Sequence, residues 1–129
     1  MLRILIADDR ESMRTALKTA FLMRPNWEIC GEATDGNEVV DKATQLRPDL
    51  ILLDFKMHLK DGLTAAAEIK RSMPALPIVM YTLYKTDELE AAAKRVGVCS
   101  VVAKEEGVQD LLNAIDAELP TAKKTGAGQ

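Results

Sequence analysis

Three aspartates, a threonine and a lysine each stand directly after an apolar run. Asp8 and Asp9 follow LRILIA (2–7), Asp54 follows LILL (50–53), Thr82 follows IVMY (78–81) and Lys104 follows CSVVA (99–103). An apolar run that ends on a carboxylate demands a reason, because burying an unpaired charge is costly. Brought together, these side chains would form an oxygen-rich cluster with one movable ammonium. Two carboxylates about 4 Å apart repel by ~4 kcal/mol at an effective dielectric near 20, so three of them must take up a proton or a counter-charge. Oxygen ligands with room for water suit Mg²⁺. Such a cluster could receive a phosphoryl group, whose transfer requires positioning and neutralisation of the equatorial oxygens. A carboxylate on a rigid strand end can accept that group as an acyl phosphate, and Asp54 has that place. Thr82 and Lys104 could each contact a phosphoryl oxygen. Taken singly, each residue has an ordinary reading: Asp8 and Asp9 as helix caps, Thr82 as a strand end, Lys104 as a loop lysine. Their joint arrangement carries the inference.

Five strand–helix units must position these residues. The apolar runs are LRILIA, WEICGEA (27–33), LILL, IVMY and CSVVA, and the first, third and fourth are nearly continuous in hydrophobicity, as strands covered on both faces should be. Between them the spacing is helical, as in Met13, Leu17 and Phe21, or Leu89, Ala93 and Val96. Asp35 followed by Glu38 predicts a capping box, and Asp61 an N-cap for a third helix that ends before Pro74. Lys94, Arg95 and Gly97 predict the end of the fourth helix, and Pro120 stops a fifth that carries Val108, Leu111, Leu112, Ile115 and Leu119. Repeated strand–helix units imply an α/β fold, a parallel sheet with helices on both faces. In the strand order 2-1-3-4-5, the five candidate residues would converge on one edge, at the carboxyl ends of the strands where such sheets bind ligands.

At 129 residues the chain has the size of one domain, with 1–119 as the folded unit and the polar tail 120–129, PTAKKTGAGQ, as a frayed end or the start of a linker. Its composition, 47% hydrophobic and 29% charged, is that of a soluble globular protein, and with only 4% aromatics the core must come from Leu, Ile, Val, Ala and Met. A net charge of −3 without any long basic block argues against direct nucleic-acid binding. No run reaches membrane-spanning length and the start is too soon acidic for a signal peptide, which predicts a cytoplasmic protein without membrane attachment. Cys30 and Cys99 lack metal-type spacing and read as small buried hydrophobes, with a redox pair as the alternative.

The stretches IADD (6–9), RPDLILLDFKM (47–57), DGL (61–63), MYT (80–82) and VVAK (101–104) resemble a response-regulator receiver domain of two-component signalling, over essentially residues 2–119. The resemblance implies a flavodoxin-like doubly wound (βα)5 fold and a phosphoryl group accepted from a histidine kinase or phosphotransfer protein with Mg²⁺. It implies Asp54 as acceptor, Asp9 as direct metal ligand, Asp8 acting mainly through water, and the carbonyl of Lys56 as a further ligand. Thr82 and Lys104 would contact the phosphoryl group. Output would pass through the face of the fourth helix, fifth strand and fifth helix, which could also form a homodimer. The texture of ADDRESMRTAL and DGNEVVDKATQLRPDLILLD is most similar to receivers that precede a helix-turn-helix DNA-binding domain. The chain would be a phosphoacceptor, not a turnover enzyme.

Several positions depart from the family pattern. Val101 stands where an aromatic switch residue is usual, Leu83 where a small residue leaves an approach to the acceptor, and His58 and Glu105 where proline is common. Without proline, a cis bond after Lys104 would cost about 3–4 kcal/mol, so the loop is either trans or held by its surroundings. The lone His58 reads as a solvated loop residue. Lys56 could approach the phosphoryl group or deter an attacking water, or else be an ordinary solvated lysine. Tyr84 could shield the site or pack on the fourth helix. The alternative function is a phosphorylation-independent interaction domain on the same fold. An aspartyl phosphatase would need a second aspartate where Lys56 stands, and a nucleotide site would need a glycine-rich loop that is absent.

Overall fold

A computed structural model describes residues 1–119; the expected tail 120–129 lies outside them. The elements alternate as β1 (Leu2–Ala7), α1 (Glu11–Phe21), β2 (Trp27–Ala33), α2 (Gly36–Leu46), β3 (Leu50–Leu53), α3 (Gly62–Ser72), β4 (Ile78–Thr82), α4 (Asp87–Arg95), β5 (Ser100–Ala103) and α5 (Val108–Ala117), with a 3-10 turn over Lys104–Glu106. All five strands are parallel, in the order β2-β1-β3-β4-β5. This is the doubly wound fold expected from the sequence.

The two-residue period of each strand divides the apolar side chains between two cores. Leu5, Ala7, Ile51, Leu53, Ile78 and Met80 face α2, α3 and α4, where Val39, Ala43, Ala65, Ala66, Ile69, Leu89 and Ala93 meet them. Ile4, Ile6, Leu50, Leu52, Val79 and Tyr81 face α1 and α5, packing on Leu17, Phe21, Leu111, Leu112 and Ile115. Both β3 and β4 are buried along their whole length. Burying a side chain of this size stabilises by about 1.5–3 kcal/mol, which fixes the register of the central strands. The largest fully buried side chains are Ile, Leu and Met, as the scarcity of aromatics required.

Capping follows the sequence closely. Asp61 accepts from the Thr64 amide at 2.8 Å and Asp35 from the Glu38 amide at 2.8 Å. Glu38 completes its half of the box one residue early, accepting from the Thr34 amide at 2.7 Å and its hydroxyl at 2.9 Å. One expectation fails. Cys99 is exposed and Cys30 half-buried, because Cys99 precedes the edge strand β5 and Cys30 lies on the edge strand β2, where one flank has no neighbouring strand.

Candidate functional site

β1 and β3 lie side by side, and the chain leaves β1 toward β2 but returns past it to β3, which makes their carboxyl ends the switch point of the sheet. The backbone locks this junction: the Asp54 amide donates to the Ala7 carbonyl at 2.9 Å and the Asp8 amide to the Ala33 carbonyl at 3.1 Å. Asp8 and Asp54 are therefore buried side by side, while Asp9 is exposed at the rim. Carboxylate oxygens of all three lie within 4.8 Å of one another.

Lys104 reaches this cluster from the far side of β4. Its ammonium donates to Asp8 Oδ2 at 2.7 Å and Asp54 Oδ2 at 3.2 Å, and only 5% of its side chain is exposed. The other oxygen of Asp8, Oδ1, accepts from the Arg10 amide at 2.9 Å in a turn before α1. The helix-cap reading of Asp8 and Asp9 is not borne out: the N-cap of α1 is Arg10, with no side-chain cap bond, so Asp8 belongs to the cluster. Asp54 differs: its Oδ1 is buried without a hydrogen-bond partner. Burial pushes the Asp54 carboxyl above its usual range; Lys104 opposes the shift, and the negative charge of Asp8 adds to it. Three carboxylates against one ammonium leave two negative charges uncancelled. That excess, the all-oxygen donor set and the partnerless buried oxygen fit a hard divalent cation.

Thr82 ends β4 and is fully buried, and its Oγ1 accepts from the Tyr84 amide at 3.1 Å. The loop after β3 turns tightly back on the site. The Gly62 amide donates to the Phe55 carbonyl at 2.7 Å, and a Cβ on Gly62 would lie 2.3 Å from the Asp54 carbonyl oxygen, so only glycine lets α3 begin there. A Cβ on Gly36 would sit 2.0 Å from the Lys60 carbonyl oxygen, and a short parallel bridge pairs Asp35 with His58. α2 and the β3–α3 loop are thereby interlocked.

Of the positions that depart from the family pattern, His58 is exposed, with its backbone carbonyl accepting from the Gly36 amide at 3.3 Å and the Lys60 amide at 2.7 Å. No cis peptide bond occurs among the described residues, so the bond after Lys104 is trans, with Glu105 exposed in the 3-10 turn. Leu83 is 39% exposed. Val101 is half-buried against the core of α2, α3 and α4. Sequence reasoning treated Lys56 and Tyr84 separately, whereas the Lys56 ammonium lies 5.0 Å above the centre of the Tyr84 ring. The signal was their matched offset: each stands two residues beyond a site residue, in the loops that follow the paired strands β3 and β4.

Residues 4–116 match the family model described as the response regulator receiver domain. Over 121 residues the chain is 37% identical to protein-glutamate methylesterase/protein-glutamine glutaminase 1 of Methanosarcina mazei, an alignment covering 92% of this chain and 33% of that protein. It is 30% identical over 128 residues to the response regulator protein VraR of Staphylococcus aureus, covering 99% of this chain and 58% of that one. The chain thus spans between a third and somewhat over half the length of these curated relatives. Its fold is also that of a LuxR-family two-component response regulator from Aurantimonas, with a TM-score of 0.86, 24% identity, and 89% of this chain and 82% of that one covered.

Proposed function

The chain belongs to the response regulator receiver family, and from that premise we propose that it accepts a phosphoryl group on Asp54 from a histidine kinase or phosphotransfer protein. The observation that supports this most directly is the buried, partnerless Oδ1 of Asp54 beside an Oδ2 already engaged by Lys104. An oxygen with free lone pairs at the end of a rigid strand is placed for attack on phosphorus. The new O–P bond forms as the donor's N–P bond breaks, and that electron pair stays on the donor's imidazole nitrogen. Asp8, Asp9, Asp54 and the Lys56 carbonyl would hold Mg²⁺, which when bound supplies positive charge to the phosphoryl oxygens. Lys104 favours the ionised form of Asp54 against the effect of burial before transfer and pairs with a phosphoryl oxygen afterwards. The Thr82 hydroxyl, which accepts from the Tyr84 amide, still has its own proton to donate to another oxygen.

In this reading residues 1–119 are the receiver unit, acting in the cytoplasm as a phosphoacceptor without turnover of its own. No helix among the described residues is long and apolar enough to cross a membrane. Output passes through the α4–β5–α5 face, which also serves a homodimer; DNA contact belongs to other chains or domains. A phosphorylation-independent interaction domain is the second reading. It is favoured by Val101 and by Lys104, which already pairs with both buried carboxylates. Incubation with Mg²⁺ and acetyl phosphate should add one phosphate by intact mass, absent in Asp54→Asn. Wild type that stays unmodified, also with phosphorylated histidine kinases, overturns the first reading in favour of the second.

A further inference from the structure

We propose that Arg14 is a positioning residue for the cation: by gripping the Asp8 carbonyl it fixes the peptide that joins Asp8 to Asp9, and so sets the affinity of the site for Mg²⁺. This deepens the reading above and rests on Asp8 and Asp9 holding that ion. Arg14 stands five residues after Asp9, early in α1, and only 14% of its side chain is exposed. Its Nη1 donates to the Asp8 carbonyl at 2.9 Å and its Nε to Glu32 Oε1, also at 2.9 Å. A planar guanidinium holds both bonds at fixed angles, which the point charge of an ammonium does not.

Both backbone groups of Asp8 thereby refer to the end of β2. Its amide donates to the Ala33 carbonyl at 3.1 Å, and its carbonyl is tied through Arg14 to Glu32, the residue before Ala33. Glu32 is itself held. Lys18 pairs with its Oε2 at 2.5 Å, and its carbonyl accepts from the Lys42 ammonium, which also meets Glu38 at 3.1 Å. Lys18 lies one turn beyond Arg14 on the same face of α1, and the Glu32 carboxylate shared by the two offsets their repulsion. With Oδ1 engaged by the Arg10 amide and Oδ2 by Lys104, each hydrogen-bonding group of Asp8 has a partner. The peptide that leads into the exposed Asp9 is thus pinned from the Asp8 side. Mg²⁺ tolerates little departure from octahedral geometry, and partners that orient its ligands commonly carry about 10–100-fold in metal affinity. The positive charge of Arg14 works against a cation, so what it adds to binding comes through geometry.

Calorimetric titration of the full chain with Mg²⁺ separates geometry from charge, with urea unfolding in Mg²⁺-free buffer showing that each variant is folded. Arg14→Met should weaken Mg²⁺ about tenfold, whereas loss of a positive charge alone would tighten it. Arg14→Lys keeps the charge without the fork and should also bind more weakly than wild type; it carries the test if Arg14→Met does not fold. Lys18→Met removes the other cation on Glu32 and leaves the bond to the Asp8 carbonyl in place. Its affinity should stay within about twofold of wild type, the scale of an exposed ion pair. The assignment is overturned by an affinity that is unchanged or higher in Arg14→Met, or equal to wild type in Arg14→Lys. It is overturned equally if Lys18→Met weakens Mg²⁺ as much as Arg14→Met does. A wild type that takes up no Mg²⁺ overturns the metal site itself and the proposal with it, a failure distinct from equal affinities.

Discussion

The two ends of the sheet handle charge in opposite ways. At the amino ends of the strands, cations close off loose backbone. Arg3 donates to the Leu46 and Arg47 carbonyls at 2.8 and 2.9 Å, and Lys70 to those of Pro74 and Leu76 at 2.9 Å each. Asp49 Oδ2 accepts from the Arg3 amide at 2.9 Å. At the carboxyl ends, three carboxylates share one lysine and a buried oxygen has no partner. At the first end the cations find their partners, and the Ser100 hydroxyl, buried without a partner at the start of β5, is neutral. At the second, negative charge stands in excess around a buried carboxylate oxygen, and it is this charge that sets the two ends apart.

The contrast can be broken most forcefully at Lys104. Lys104→Met leaves Asp8 and Asp54 buried without a counter-charge, and removing one partner of such a pair costs about 3–5 kcal/mol. Urea unfolding without divalent ions should show that loss, and added Mg²⁺ should recover part of it by binding the folded state. No recovery would mean that the carboxylates do not bind the ion. At the other end, Arg3→Ala removes donors from two carbonyls. It should cost about 1–2 kcal/mol, with no Mg²⁺-dependent recovery, in the same measurement.

Asp54→Asn gives the smallest and most diagnostic effect. The folded-state pKa of Asp54 is raised above its unfolded value, chiefly by burial. The unfolded state therefore releases this proton first as pH rises. Any stability from the protonated carboxyl is complete below the unfolded pKa and is lost as pH rises through the folded one. In Mg²⁺-free buffer Asp54→Asn should match or slightly exceed wild type at neutral pH, and wild type should gain on it as pH falls toward the carboxylate range. Glu32 and Glu38 shift the other way, lowered first by the hydrogen bond from Lys18 and by that from the Thr34 amide, respectively. Their protonation in acid opposes the gain from Asp54, so only the difference between the two proteins isolates Asp54.

Much of this was legible along the chain. β1 and β3 begin and end where their apolar runs do, since a doubly covered strand leaves an unbroken hydrophobic stretch. Asp61 and Asp35 announced their helices because capping is local chemistry. What escaped is what the fold brings together through space. Lys104 could be read as a movable charge, but its two bonds to Asp8 and Asp54 depend on strands far apart in sequence. The Lys56–Tyr84 contact and the exposure of Cys99 likewise depend on which strands become neighbours and which become edges. Leu59, at φ +69° in the loop after β3, gives no hint in its type, because its side chain is disfavoured there and the surrounding contacts impose the conformation.

The two contacts that only glycine permits, Gly62 beneath the Asp54 carbonyl and Gly36 against Lys60, have a consequence for anyone redesigning this molecule. Residues 55–61 cannot be exchanged as an independent cassette. One end is fitted to the backbone of Asp54 and the middle to the start of α2, so a graft of different length would shift two elements together. A transplant of this loop should therefore carry residues 34–36 with it.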